Sequence, residues 1–140
     1  MKASGFVKDI MTKEVITLVL DDSLELAEKL FDKYRIRHIP VVKDRKLIGM
    51  VSKTDLLRIS FLDSLSDSES TIDEAIYEMF KVEQIMIKNV QTLSSNISIK
   101  EVTEFFISKE FHAFPVVENE ILIGIITTTD LLKFYLSCCE

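Results

Sequence analysis

The sequence predicts a mixed α/β fold, of the α+β kind, built from two β-α-β-β-α units in tandem. Three observations predict it. Residues 7–57 align without a gap on residues 82–132, and 19 of the 51 positions are identical. Self-similarity at a fixed period marks a repeated supersecondary unit. Each copy holds two short β-branched runs around a polar turn, the pattern of a hairpin. Each copy also holds polar capping residues followed by apolar residues at helical spacing.

The elements follow in order. Each repeat opens with an apolar segment ending in Ile10-Met11 or Ile85-Met86, then a brief strand, 15–18 or 90–93. Asp22 stands three before Glu25 and Ser98 three before Glu101, so each predicts a capping box. The helix after Asp22 carries Leu24, Ala27, Leu30, Phe31 and Tyr34 on one face; its counterpart carries Ile99, Val102, Phe105 and Phe106. A hairpin turns at Asp44-Arg45 in the first repeat and at Glu118-Asn119-Glu120 in the second. A second helix closes each unit, starting near Asp55 and Asp130. The predicted boundaries are repeat one at 1–58, a linker with an amphipathic helix at 59–81, and repeat two at 82–140. In the linker, Asp63 to Thr71 is polar and acidic, a loop signal. Ile72, Ala75, Ile76, Met79 and Phe80 then form an apolar stripe, which suits a connector helix or a partner-facing one.

Composition bounds the function. Apolar residues make up 47% of the 140, enough for a core. No apolar run approaches the roughly 20 residues that span a bilayer, and residues 1–9 lack an apolar signal core. The expectation is a soluble, cytoplasmic protein that does not meet a membrane. The net charge of −6 argues against a nucleic-acid partner. That charge is uneven: residues 1–58 hold 12 Lys/Arg against 9 Asp/Glu, and residues 59–140 hold 5 against 14. The cysteines, Cys138 and Cys139, are adjacent, which suits neither a structural disulfide nor a zinc site. There is no metal-ligand spacing and no phosphate-binding glycine loop. His38 and His112 do not align with each other and have no nucleophile beside them, so no catalytic residues are expected and the protein is read as a non-enzyme.

The most informative stretches are Gly49-Met-Val-Ser52-Lys53-Thr54-Asp55 and Gly124-Ile-Ile-Thr127-Thr128-Thr129-Asp130. Each places hydroxyls and a carboxylate where a strand hands over to a helix. Hydroxyls and free backbone N–H groups at a helix start suit phosphate oxygens. The same spacing, Ser52-x-x-Asp55 or Thr127-x-x-Asp130, also suits a capped helix with no ligand.

Ile-Met at the start, x-Pro-Val-Val in the middle and Gly-h-h-Ser/Thr-x-x-Asp at the end, with h apolar, together resemble the cystathionine-β-synthase (CBS) domain. That domain occurs in tandem, as these motifs do. The overall plan resembles stand-alone CBS pairs, including those of acetoin utilisation. The resemblance implies two units packed sheet to sheet with pseudo-two-fold symmetry, and clefts that take adenosyl ligands: AMP, ADP, ATP, S-adenosylmethionine or NAD. It makes Asp55 and Asp130 ribose-binding aspartates, and Ser52 and Thr127 phosphate-contacting hydroxyls, with Thr54 and Thr129 close by. By the same resemblance Val15, Thr17, Ile39 and Pro40 line one adenine slot, and Val90, Thr92, Phe114 and Pro115 the other.

The two sites are expected to differ. Arg37, His38, Lys53 and Arg58 stand near the first turn in sequence, with Arg35 and Lys43. The second has His112, Ala113, Thr128, Lys133, Glu110 and Glu118 at matching positions. Polyphosphate needs cations, so the Asp55 site is expected to prefer the more phosphorylated ligand. The leading expectation is a regulatory module with no true cofactor. It would bind an adenine nucleotide as regulatory ligand, form a homodimer and act on a protein partner in trans, with the 72–80 helix as a route. The alternative is a structural or interaction protein in which the pair dimerises and the turns are only caps.

Overall fold

The computed structural model describes residues 4–64 and 79–139. Its helices are α1 (Val7–Ile10), α2 (Leu24–Tyr34), α3 (Lys53–Ser64), α4 (Val82–Ile85), α5 (Ile99–Lys109) and α6 (Thr128–Ser137). Its strands are β1 (His38–Lys43), β2 (Lys46–Ser52), β3 (Ala113–Glu118) and β4 (Ile121–Thr127). Helix α3 runs on through the first linker residues to Ser64, so Asp63 and Ser64 of the expected loop are helical. The rest of that loop and most of the linker helix, residues 65–78, lie outside the described residues. Of its apolar stripe only Met79 and Phe80 are described, and both are exposed.

The division into compact units does not follow the division into repeats. One unit is continuous, Ile16–Val90; the other is split, Met1–Val15 with Gln91–Glu140. The body of each repeat therefore packs with the opening segment of the other. In the continuous unit, Val82 is fully buried among Leu18, Leu24, Phe31, Ile39, Val41, Val51 and Leu56. In the split unit, Val7 is fully buried among Leu93, Ile99, Val102, Phe114, Val116, Ile126 and Leu131.

Within each unit the strands repeat one design. β1 pairs antiparallel with β2, and β3 with β4, each with a bulge that opposes Val41-Val42 or Val116-Val117 to a three-residue stretch. Asp44 and Arg45 have φ of 51° and 70°, and Asn119 and Glu120 have 51° and 69°. Two residues at positive φ are what a two-residue hairpin needs to match strand twist. The brief strands expected at 15–18 and 90–93 shrink to single parallel bridges, Leu18 to Val41 and Leu93 to Val116. On the other side, Ile87 bridges Met50 in the continuous unit, and Thr12 bridges Ile125 in the split one.

The α5 cap falls where expected and the α2 cap does not, and among the described residues neither helix closes the expected capping box with a reciprocal carboxylate bond. Ser98 Oγ accepts from Glu101 N at 3.1 Å and caps α5. At α2 the cap falls one residue later than expected: Ser23 Oγ accepts from Leu26 N, while the Asp22 carboxylate accepts from Val19 N at 2.8 Å. Both residues are good acceptors, and the aspartate is engaged by the turn before the helix. The expected α2 stripe is buried at Leu24, Ala27 and Phe31, and Tyr34 is exposed.

The glycines answer to packing. A Cβ at Gly124 would stand 2.6 Å from Met11 Sδ, and one at Gly49 would stand 2.5 Å from Met86 Sδ and 3.0 Å from the Ile87 carbonyl. The repeated Ile-Met and the repeated glycine are two halves of one contact, made inside each unit.

Candidate functional site

The two turns occupy matching places. In the continuous unit β2 ends at Ser52 and α3 begins at Lys53, whose N donates to the Arg37 carbonyl at 2.8 Å. In the split unit β4 ends at Thr127 and α6 begins at Thr128, whose N donates to the His112 carbonyl at 3.2 Å. Each N-cap hydroxyl accepts from the aspartate N–H, Ser52 from Asp55 and Thr127 from Asp130, both at 3.1 Å. Capping is thus realised at both turns.

The carboxylates differ. Asp130 Oδ2 accepts from Thr127 N at 3.0 Å and Thr127 Oγ1 at 3.1 Å, and Oδ1 accepts from Thr12 Oγ1 at 3.1 Å. The capping box is closed and a further hydroxyl is added. Asp55 Oδ2 is buried with no hydrogen-bond partner among the described residues. Its Oδ1 stands 3.7 Å from the Arg58 guanidinium, an ion-pair distance beyond hydrogen-bond reach. A buried acceptor left without a donor costs about 1–3 kcal/mol.

Register places the remaining predicted residues. His38 lies opposite Ser52, Ile39 opposite Val51 and Pro40 opposite Met50; Phe114 lies opposite Ile126 and Pro115 opposite Ile125. Ile39 and Phe114 were expected to line a slot, but their side chains sit in the cores. Ile39 is fully buried, and the Phe114 ring meets Phe106 at a tilt and Phe111 edge-on, at centroid distances of 4.8 and 5.6 Å. Thr17 and Thr92 are exposed, each one residue before the bridge to β1 or β3. Thr54 and Thr129 are exposed in the first turns of α3 and α6. Val15 ends the first piece of the split unit and Val90 ends the continuous one, so neither belongs to the same unit as the rest of its predicted set.

The cations separate. Arg37 and His38 adjoin the first turn, and Lys53 Nζ stands 3.7 Å from Asp32 Oδ1. Lys43 pairs with Lys46 at the far end of the hairpin, about 16 Å along the strand from His38. It is not part of the turn. Arg35 takes the left-handed C-cap of α2, as Glu110 does for α5. Glu118 is held by Ser95 Oγ at 2.7 Å and Ser95 N at 3.2 Å, with Ser94 Oγ at 3.4 Å, and these bonds lower its pKa.

Among the described residues no cluster of His, Cys, Asp and Glu could hold a metal ion, and no helix is long and apolar enough to cross a membrane. Cys138 and Cys139 are free thiols. Thr12 and Ile87 were not singled out from sequence. The signal was there: position 12 breaks the identity of the Ile-Met-x-Lys run.

A family model for the CBS domain matches residues 7–61 and again residues 82–137. The chain is a tandem pair of CBS domains. This CBS pair is similar to a Vibrio cholerae protein named AcuB, for acetoin utilization. The TM-score is 0.81 at 28% identity, over 96% of this chain and 92% of that one. It is also similar to the CBS pair of protein MJ0100, solved in complex with 5′-methylthioadenosine and S-adenosyl-L-methionine. There the TM-score is 0.77 at 25% identity, over 96% of this chain and 98% of that one. Protein MJ1225 of Methanocaldococcus jannaschii is 26% identical over 92% of this chain, which spans 46% of that relative's length.

Proposed function

We propose that the pair is a non-catalytic regulatory module that binds an adenosyl ligand through its two turns and signals to a partner protein in trans. In this reading it works as a homodimer in the cytoplasm. The observation that carries the proposal is the Asp55 carboxylate, which has a buried oxygen without a donor in the turn that defines the family motif. A ribose offers two vicinal hydroxyls, and a carboxylate accepts from both. The similarity to a CBS pair that holds adenosyl ligands supports this choice of ligand class.

The same reading assigns polyphosphate to the Asp55 turn. Lys53 and Arg58 there each face an aspartate at 3.7 Å, the first in an exposed ion pair and the second, to Asp55, in a pair with one exposed and one half-buried member. Exposed pairs are weak, so a phosphate could exchange for the aspartate at small cost. The second turn has Thr128 and Lys133 at the matching positions. Ligand occupancy would regulate by its differential affinity for two states of the assembly.

The test is thermal unfolding with AMP, ADP, ATP, S-adenosylmethionine, 5′-methylthioadenosine and NAD. A ligand at about a hundred times its Kd adds about 2.7 kcal/mol, a rise in Tm of roughly 5–10 °C for a chain this size. No shift with any of them at millimolar concentration rejects the reading in favour of a purely structural pair. Titration of Asp55→Ala and Asp130→Ala with ATP then tests the asymmetry, and equal losses reject it.

A further inference from the structure

Thr12 and Ile87 hold equivalent places in the two units. Thr12 N donates to Ile125 O at 2.8 Å, and Thr12 O accepts from Ile125 N at 2.9 Å. Ile87 N donates to Met50 O at 2.9 Å, and Ile87 O accepts from Met50 N at 3.0 Å. The same backbone clamp fixes both residues beside the strand that leads into each turn. Only the side chains differ, and the aspartates respond. Thr12 Oγ1 donates to Asp130 Oδ1 at 3.1 Å, and Asp130 Oδ2 is taken by Thr127. Isoleucine has no donor, and Asp55 Oδ2 has no partner among the described residues.

We infer that the residue at position 12, set against its counterpart at 87, selects which turn is open to a ligand that brings its own hydroxyl donors. Thr12 reserves Asp130 for the protein, and Ile87 leaves Asp55 to the ligand. The inference rests on the adenosyl-ligand reading above and deepens it. An ionised carboxylate only accepts hydrogen bonds, so a vicinal diol at Asp130 must displace the threonine hydroxyl already there. At Asp55 no hydrogen bond from the described residues anchors the carboxylate. The side chain can turn to bring its buried oxygen to the diol at the cost of no more than the long Arg58 ion pair. The charge pattern points to the same turn for phosphate, but the role of Thr12 does not depend on charge.

Calorimetric titration with AMP, in two backgrounds, tests this. With the first turn disabled by Asp55→Asn, Thr12→Val keeps the side-chain shape and removes the donor. It is expected to tighten AMP about tenfold. The 2′,3′-dideoxy analogue of AMP, which lacks both ribose donors, should gain nothing from the substitution. With the second turn disabled by Asp130→Asn, Ile87→Thr is expected to weaken AMP about tenfold, and this arm decides if Thr12→Val does not fold. Changes below about twofold in both arms, with AMP still bound, overturn the role of position 12 and leave the adenosyl reading standing. If AMP does not bind, the same two arms are run with whichever of ADP, ATP, S-adenosylmethionine, 5′-methylthioadenosine or NAD does, and binding of none of the six by the unsubstituted chain or any variant overturns both.

Discussion

The turns at 49–55 and 124–130 begin from nearly the same residues and end in different states. Each has a glycine against a methionine, an N-cap hydroxyl and an aspartate three residues later. At Asp130 every short-range demand is met inside the split unit, and the helix start is a finished piece of structure. At Asp55 the cap is half made, because Ser52 accepts a bond and none returns to the carboxylate. The lesson is that a motif read for binding also has a structural job. Where that job is complete, less of the motif is left over for a ligand.

The comparison can be broken most forcefully at the cores that hold the turns. Val7→Ala and Val82→Ala each remove two methyl groups from a fully buried site and should cost about 2 kcal/mol. Native-state hydrogen exchange should place the first loss in residues 99–137 and the second in residues 24–56. Losses that follow the repeats instead would refute the exchanged packing.

A smaller effect separates the aspartates themselves, in protein without ligand. Asp130→Ala removes the acceptor for Thr127 and Thr12 and should cost about 1–2 kcal/mol in urea unfolding. Asp55→Ala deletes an unsatisfied acceptor and a long ion pair at 3.7 Å, so its cost should stay within about 0.5 kcal/mol. Equal costs would mean that the two turns are structurally alike after all.

The smallest effect lies at the hairpin ends, where Lys43 in one unit matches Glu118 in the other. The Ser95 hydroxyl and N–H hold the Glu118 carboxyl below its usual range. A carboxyl with a lowered folded-state pKa lends stability above its unfolded value, and that stability is lost as pH falls through the folded one. Glu118→Gln should therefore lower Tm slightly at pH 7, and the difference from the parent should begin to shrink as pH falls below ~4 and vanish only below the lowered folded-state value. Lys43→Gln should show no such acid-dependent convergence.

Much of this architecture was legible from sequence, for identifiable reasons. The gapless alignment gave both hairpins, and β-branched runs with two polar turn residues place a strand pair with little ambiguity. Ser98 was readable as a cap because no rival acceptor adjoins it. Asp22 and Ser23 compete, and only tertiary context assigns the first to Val19 and the second to α2. The exchange of opening segments was not legible. Val7 and Val82 are identical and equally buried, so the apolar pattern is the same whichever body each one enters. Ile39 and Phe114 carry a similar ambiguity: an apolar residue before Pro-Val-Val reads as slot or core until burial places its side chain, which lies in the core at both positions. The state of Asp130 turned on Thr12, 118 residues away, a distance at which no local rule operates.

The split of one unit has a consequence for how the chain is made. Residues 16–90 form a contiguous stretch, so that unit has all its parts once residue 90 has emerged from the ribosome. The other unit must hold Val7 and Met11 unpartnered until the second repeat body is synthesised, and synthesis proceeds at about 5–20 residues per second. For that interval the opening segment is an apolar strip attached to a half-finished protein, and the Thr12 hydroxyl has no carboxylate to meet. The turn that ends most completely satisfied is thus the one whose parts come together last.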